Sequence, residues 1–508
     1  MSAELAIGLA ILFPLCGAIG VQLTGKWPNI REGINLVAAL LTFGCVISLV
    51  SGVSNGERPE LTLFEVMPGV DLAFQVEPLG MLYALVAAGL WIPTHLYAIG
   101  YMRGHNEGHQ TRFFTCFALA IFAALGIAFS KNVFTLFLFY EILTFSTYPL
   151  VTHYGNDEAK RAGRVYMGIL LTTSVAFLLF AVILTQVYAG TLDFAPGGIL
   201  AGKVDGLAVP ILLGLYAFGT GKAALMPFHR WLPTAMVAPT PVSALLHAVA
   251  IVKAGVFTVL KVVVYVFGLD FLTDTGANDW LMWVAGFSLI SSSIIACTKD
   301  NLKARLAYST ISQLAYITLG ASIATAAAVQ GAAMHIAMHA VGKITLFFCA
   351  GAIYVALHKK NISDMNGIGK KMPFTMVAFF LGSICIIGLP PMGGSWSKWY
   401  LCLGALDAGH IIFVFVLMAS SLLSIGYLMP VVVRAFFFEP GPDDHHHDDH
   451  HDDHGHEAAP AGEGFWANLQ EAPKLCVYPL CLTAMGCVAL FFYAPEIFDL
   501  ISSITVVK

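Results

Sequence analysis

Apolar residues fall along this chain in long blocks, each closed by a short polar or glycine-rich stretch. A helical block of about 18 residues or more matches the hydrocarbon thickness of a bilayer. Backbone in lipid must satisfy its own hydrogen bonds, which leaves helices or closed barrels. The blocks are too long and continuous for alternating barrel strands, so the pattern predicts an all-α polytopic membrane protein. It places helices over 4–23, 33–54, 79–101, 112–129, 131–151, 164–189, 206–225, 240–267, 279–297, 303–325, 330–357, 373–400, 408–436 and 474–501, about fourteen in all.

Charge tests that count. The connections after odd-numbered helices hold Lys26, Arg103, Lys160, Arg161, Arg230, Lys299, Lys359, Lys360, Lys370, Lys371 and Arg434, whereas those after even-numbered helices hold little beyond Arg58, Lys131 and Lys203. Basic residues mark cytoplasmic loops. An even helix count with both termini outside is therefore expected, in a prokaryotic cell membrane. The first twenty residues carry Glu4 where a cleaved leader would be positive, so they read as a retained first helix.

Composition agrees and narrows the class. Hydrophobic residues make up 58% of the 508 and charged residues 11%, against about 25% charged in globular domains; mean hydropathy is +0.78. The lipid bilayer is the expected environment and nucleic acid is not an expected partner. The ten cysteines are scattered through apolar segments without a CxxC pair, which argues against disulfides, zinc and iron–sulfur clusters. No cofactor and no metal is expected.

One stretch is not membrane. EPGPDDHHHDDHHDDHGHEAAPAGEG, from Glu439, holds nine of the 31 acidic residues and no basic one; without it 26 basic residues face 22 acidic, and the net charge of −5 becomes +4. Aspartate and histidine clusters can bind divalent metals, but the composition reads first as a solvated, structureless cytoplasmic loop.

The informative residues are ionisable ones inside apolar helices: Glu141, Lys222, His247, Lys253, His335, His339, Lys343 and Lys398. A bare charge at mid-membrane costs about 2.5–3.5 kcal/mol on insertion scales, so each must pair, find water or change protonation. Structural alternatives exist for single members. Lys398 could snorkel to an interface, Glu141 could be a purely structural partner of a lysine, and His247 could be a satisfied packing residue. As a set they suit a proton relay. His335, His339 and Lys343 recur every four residues and share one helix face; histidine titrates near neutrality, and desolvated lysine gives up its proton more readily. Pro227, Pro233, Pro239 and Pro241 follow Lys222, and Pro390, Pro391, Gly393 and Gly394 precede Lys398. Proline breaks a helix, and paired interruptions in two halves point to inverted repeats with an ion path at the breaks.

In order and spacing, YEILTFSTYPL around Glu141, GKAALMPFHRWLPTAMVAPTPVSALLHA from Gly221, TKDNLKARLAYSTISQLAYI from Thr298, HIAMHAVGKITLFF from His335 and GLPPMGGSWSK ending at Lys398 resemble a known family. It is that of the antiporter-like subunits shared by Mrp-type multisubunit cation/proton antiporters and the membrane arm of NADH–quinone oxidoreductase. The resemblance runs from about residue 75 to 435. It implies fourteen helices with two inverted five-helix repeats, broken at helices 7 and 12: N-terminal helices over 1–110, a first repeat over 111–270, a second over 271–437, the acidic loop over 438–470 and a last helix over 471–508. It implies that Glu141 and Lys222 pair, that Lys253 connects the halves, and that His339, Lys343 and Lys398 continue the path. Length and Lys398 lean toward the D-type member of the Mrp antiporters, coupling protons to Na+ with other membrane subunits as partners. A proton-pumping subunit of a redox-driven complex, or an energising subunit of an inorganic-carbon uptake complex, remains the alternative. In each case this chain has no redox chemistry of its own. The relay is expected to run Glu141, Lys222, Lys253, His339, Lys343, Lys398. Deleting Asp443 through His456 is expected to leave transport nearly intact in membrane vesicles, because that segment lies outside the conducting body; a severe loss with normal assembly would make it part of the path.

Overall fold

The computed structural model describes residues 2–439 and 469–505. Most of the expected acidic loop, residues 440–468, therefore lies outside the described residues. Helices α1 (Ala3–Leu23) and α2 (Pro28–Ser54) form a hairpin at the edge of the bundle. A two-stranded antiparallel ribbon follows, β1 (Glu60–Met67) and β2 (Val70–Gln75), turning at Pro68 and Gly69; the sequence pattern did not predict it. Then come α3 (Pro78–Gly104), α4 (Gln110–Ala128), α5 (Val133–Val151), and α6 (Asp157–Thr173), which runs through a π turn at Ser174–Leu178 into α7 (Leu179–Ala189) as a single span.

Side-chain caps set where these helices start, which hydropathy alone cannot locate. Glu77 accepts the Leu79 and Gly80 amides at α3, Asn132 the Thr135 amide at α5, and Asn156 the Ala159 amide at α6. Each satisfies amide groups that the helix itself leaves orphaned.

The span expected over 206–225 stops early. α8 (Ala208–Gly219) ends at Gly219, a tight turn carries Gly221–Ala223, and the chain then passes through α9 (Trp231–Thr234) and α10 (Thr240–Ala244). The helix expected over 240–267 is likewise several pieces. A π turn at Leu245–Val249 leads into α11 (Ile251–Val262), a second π turn covers Val263–Phe267, and α12 (Leu269–Thr275) leaves at 80°. After α13 (Asp279–Thr298), α14 (Leu302–Ile323), α15 (Ala326–Leu357) and the short α16 (Ile368–Lys371), the helix expected over 373–400 proves to be two. α17 (Pro373–Ile387) ends at Gly388, and α18 (Gly394–Asp407) starts six residues on. Gly388 has φ +89°, a conformation that costs a side-chain-bearing residue dearly. The molecule closes with α19 (Ile411–Phe437), α20 (Lys474–Phe492) and α21 (Ala494–Ser502), the last two replacing one expected helix over 474–501.

Among the described residues ten helices are long and apolar enough to cross a membrane, eleven if the bent α11–α12 pair counts as one span; α8 and α17 are shorter apolar helices. α14 falls outside this set because it is rich in Ser, Thr and Gln, yet it is buried along nearly its whole length. Protein, not lipid, surrounds it. α15 is the axis of the second half, packed against α3, α10, α11, α14, α17, α18 and α20. The perimeter exposes large apolar side chains such as Val187, Phe287, Phe415, Leu422 and Phe437, as a lipid-facing surface must. The ten cysteines are free thiols.

Loops of one face are tied to each other. Gln75 donates its amide to the Phe129 carbonyl, Lys131 to Ala73, Val133 to Leu192, Ala195 to Tyr265 and Leu200 to Val266. On the other face Ile362 donates to Asp300, Leu302 to Lys360, Gly367 to Arg434 and Gln470 to Lys371. These two sets coincide with the sparsely and densely basic connections read from charge.

Candidate functional site

Lys222, Lys253 and Lys343 are 0% exposed and Lys398 is 8% exposed. Each lies inside the protein at an opening in the hydrogen bonding of a helix or at a hydroxyl. Lys222 sits in the turn that interrupts α8. Its Nζ donates to the Tyr140 carbonyl at 2.8 Å and to Thr144 Oγ1 at 2.7 Å, and it lies 3.1 Å from the centre of the Tyr140 ring. The Tyr140 hydroxyl in turn accepts the Lys222 amide at 3.0 Å. The break is held open by close packing: a Cβ on Gly255 of α11 would fall 2.2 Å from the Ala223 nitrogen. Ala224 adopts φ +53°, a left-handed conformation that the surroundings must enforce.

Glu141, the next residue along α5, does not touch Lys222. No salt bridge within 4.0 Å joins them among the described residues, and both carboxylate oxygens of Glu141 are buried without a hydrogen-bond partner. The carboxylate still lies within electrostatic reach of the ammonium. This is an open arrangement of the expected pair, in which the lysine is held by a carbonyl and a hydroxyl.

The two halves meet at Lys253, whose Nζ is hydrogen-bonded to Nδ1 of His339. His339 stacks on His335, one turn away, with ring centres 5.8 Å apart. His335 Nε2 lies 3.1 Å from Gln313 Oε1, and its Nδ1 is hydrogen-bonded to Ser397 Oγ at 2.8 Å. Lys343, another turn on, donates to Ser309 Oγ at 2.6 Å and to the Leu306 carbonyl at 3.3 Å. The stripe of His335, His339 and Lys343 on α15 thus faces α11, α14 and α18. His247 falls in the π turn before α11; its side chain lies outside the described residues.

Lys398 occupies the second break. Its Nζ donates to the Ile387 carbonyl and to Ser421 Oγ, both at 3.0 Å, and lies 4.6 Å from the Tyr316 ring centre. A cation at the carbonyl end of α17 also meets the negative end of the helix dipole. Lys398 therefore points inward and does not snorkel. It borders a pocket of about 740 Å³ that opens to the perimeter and is lined largely by apolar side chains, among them Trp396, Trp399, Met418 and Leu422.

Between Lys343 and Lys398 runs a seam of hydroxyls that the hydropathy pattern did not single out. Ser309 donates to the Tyr427 hydroxyl at 2.9 Å, and Tyr427 meets Ser424 at 2.8 Å. Ser293, Ser312 and Ser420 interconnect at 2.8–3.2 Å. Tyr316 reaches Ser421, the partner of Lys398, at 3.2 Å. The signal available in sequence was spacing: Ser420, Ser424 and Tyr427 fall on one face of α19. Also unforeseen was a buried ion pair between Lys261 and Glu77, 3.3 Å apart. Among the described residues no group of three or more His, Cys, Asp or Glu side chains is placed to hold a metal ion.

The contacts form separate groups of proton donors and acceptors, around Lys222, around Lys253 with His339 and His335, around Lys343 and around Lys398; no hydrogen bond joins Lys222 to Lys253 among the described residues. Comparison with known proteins places the sequence in a family. The family described as "NADH:quinone oxidoreductase/Mrp antiporter, TM" matches residues 130–424, and "NADH-Ubiquinone oxidoreductase (complex I), chain 5 N-terminus" matches 68–114. The chain is 32% identical to NADH-quinone oxidoreductase subunit N of Desulforudis audaxviator over 86% of its own length and 87% of that protein. It is 28% identical to a putative antiporter subunit of Staphylococcus haemolyticus, over 72% of this chain and 47% of that one. Its fold matches a chain of the Mrp complex from Dietzia sp. with a TM-score of 0.85 at 21% identity, covering 99% of this chain and 97% of the other. It matches a chain of an archaeal membrane-bound sulfane sulfur reductase with a TM-score of 0.83 at 23% identity, covering 98% and 97%. With more than half its length matched by the family and a relative above 30% identity along most of the chain, this multi-pass membrane protein belongs to the NADH:quinone oxidoreductase/Mrp antiporter transmembrane family.

Proposed function

We propose that the chain is the proton-translocating membrane subunit of a multisubunit Na+/proton antiporter, of the D type found in Mrp antiporters, working with other membrane subunits. Protons pass along Glu141, Lys222, Lys253, His339, Lys343 and Lys398, with His335 beside His339 and His247 near the crossing between the halves. The single observation that carries the reading is the Lys253–His339 hydrogen bond. It joins a lysine of the first half to the titratable stripe of the second at a depth where neither would be tolerated in lipid. Lys222, Lys343 and Lys398 each rest on a carbonyl and a hydroxyl that can keep the ammonium charged or take part in passing its proton on, whereas Lys253 rests on the His339 ring. A carboxylate moving toward or away from Lys222 changes how firmly that proton is held.

A second reading, a proton-pumping subunit of a redox-driven complex, is favoured by the 32% identity to an NADH-quinone oxidoreductase subunit over 86% of the chain. Everted vesicles carrying the intact complex separate the two. An imposed pH gradient that collapses on addition of NaCl supports the antiporter; a gradient generated only by adding a reductant such as NADH supports the redox pump. In either case Lys253→Met is expected to abolish proton movement in assembled complex. Wild-type flux in that variant would remove Lys253 from the path and with it the lateral relay.

A further inference from the structure

The ion pair of Glu77 and Lys261 lies away from the relay just described and has no part in it. Lys261 is 0% exposed. Its Nζ reaches Glu77 Oε1 at 3.3 Å and the Ser130 carbonyl at 2.8 Å, beside the Phe194 ring at 4.6 Å. Glu77 is fully engaged. Oε1 accepts the Gly80 amide at 2.9 Å, and Oε2 accepts the Leu79 amide at 2.7 Å and the Tyr265 hydroxyl at 2.9 Å.

Three features set this cluster apart from a simple staple between α3 and α11. First, capping α3 requires only a short polar acceptor; a buried lysine is not needed for it, and buried ion pairs are commonly replaced by apolar residues without loss of stability. Second, Lys261 shares α11 with Lys253. Eight residues put it about 12 Å along the helix axis, a distance that a file of a few waters spans. Third, the cluster lies beneath the sparsely basic face. Ser130 belongs to a connection of that face, the Tyr265 carbonyl accepts the amide of Ala195 in another, and the same connections carry Glu60, Asp71 and Asp193, with Lys131 paired to Glu60 at 3.1 Å. The cluster thus lies between the buried relay and an acidic, water-exposed surface.

We propose that Glu77, Lys261 and Tyr265 form a proton gate connecting the buried relay to the membrane face opposite the basic loops. The inference rests on the relay reading above. The Lys261 ammonium passes a proton to the Glu77 carboxylate, leaving a neutral amine and a neutral acid. Glu77 releases that proton to water at the face, with the Tyr265 hydroxyl holding the carboxylate oxygen in place, and the amine is reprotonated from the Lys253 side. One proton enters from the relay and one leaves. Between transfers the closed ion pair blocks a leak.

Arginine decides the question, because it preserves the ion pair but does not surrender its proton. In everted vesicles carrying the intact complex, Lys261→Arg is expected to assemble normally and to lose at least about tenfold in proton flux, the effect of removing one proton-transferring group. Assembled Lys261→Arg with wild-type flux would overturn the gate and leave the pair a staple. If Lys261→Arg does not assemble, the double variant Glu77→Gln/Lys261→Met answers instead. It keeps an amide oxygen at the start of α3 and leaves no unpaired buried charge, so a gate predicts the same loss of flux and a staple predicts unchanged flux. Lys222→Ala is run beside them. Flux retained there refutes the relay reading itself, whereas flux lost there and retained in Lys261→Arg refutes the gate alone.

Discussion

Lys222→Ala is expected to abolish proton flux while the complex still assembles. The ammonium contacts Tyr140 and Thr144 and lies at the break after α8, so its removal takes away the proposed proton carrier and a cation within electrostatic reach of Glu141. Losing a positioned proton-transfer group slows such steps on the order of 10²-fold or more. Glu141→Ala should have a comparable effect by a different route. Its carboxylate makes no hydrogen bond, so the fold loses little, but the charge that biases Lys222 disappears. The assay is pH-gradient collapse in everted vesicles, with subunit abundance measured by immunoblot. Wild-type transport in either assembled variant would end the Glu141–Lys222 account. Lys222→Arg sharpens it: a guanidinium retains the charge near Glu141 but cannot cycle through a neutral form, so it too should be inactive.

Gly255→Ala is the second large effect, and it arises from one methyl group that carries no charge itself but meets the backbone of the turn that bears Lys222. The new Cβ would stand 2.2 Å from the Ala223 nitrogen and 2.3 Å from the Lys222 carbonyl carbon. Backbone on both sides must move apart, since no flexible side chain is available to yield. Overpacking a filled interior costs about 1–3 kcal/mol, enough to lower abundance. The more specific consequence is that the turn carrying Lys222 shifts away from Tyr140 and Thr144. We expect transport to fall further than abundance does, on the order of tenfold after normalisation to assembled complex. Normal flux per assembled complex would show that the broken helix tolerates displacement and that Lys222 is not precisely positioned.

Several of these features were legible in sequence, for identifiable reasons. A charge in a run of leucines and phenylalanines contradicts its surroundings, so Glu141, Lys222, Lys253 and Lys343 declared themselves. Clustered proline and glycine announced both breaks, though not where the helices resume. The hydroxyl seam was hidden because serine and threonine inside a helix can return their hydrogen bond to their own backbone and so pass as neutral filler; only their contacts across α13, α14 and α19 distinguish them. Lys261 was hidden by position. It lies near the end of its span, where a lysine ordinarily reaches for water, and its partner Glu77 reads as an unremarkable helix cap. The π turns around α11 leave no mark in a pattern based on 3.6 residues per turn, and the β1–β2 ribbon sits in a connection whose alternation is irregular at its two register shifts.

The backbone bonds that join loop to loop within each face give this protein the mechanics of a drum with both heads laced. Helix ends are fixed to their neighbours at each surface, while the broken spans, the π turns and the lysines lie between. A carrier that exposes its site to each side by tilting one half against the other must shear such lacing at every cycle. Here the heads can stay taut. What must change during a cycle is the interior: which ammonium leans on which oxygen, and which stretch between them is wetted. A turnover would then leave the outline of the molecule almost unchanged, and a label placed on any surface loop would report very little of the event it surrounds.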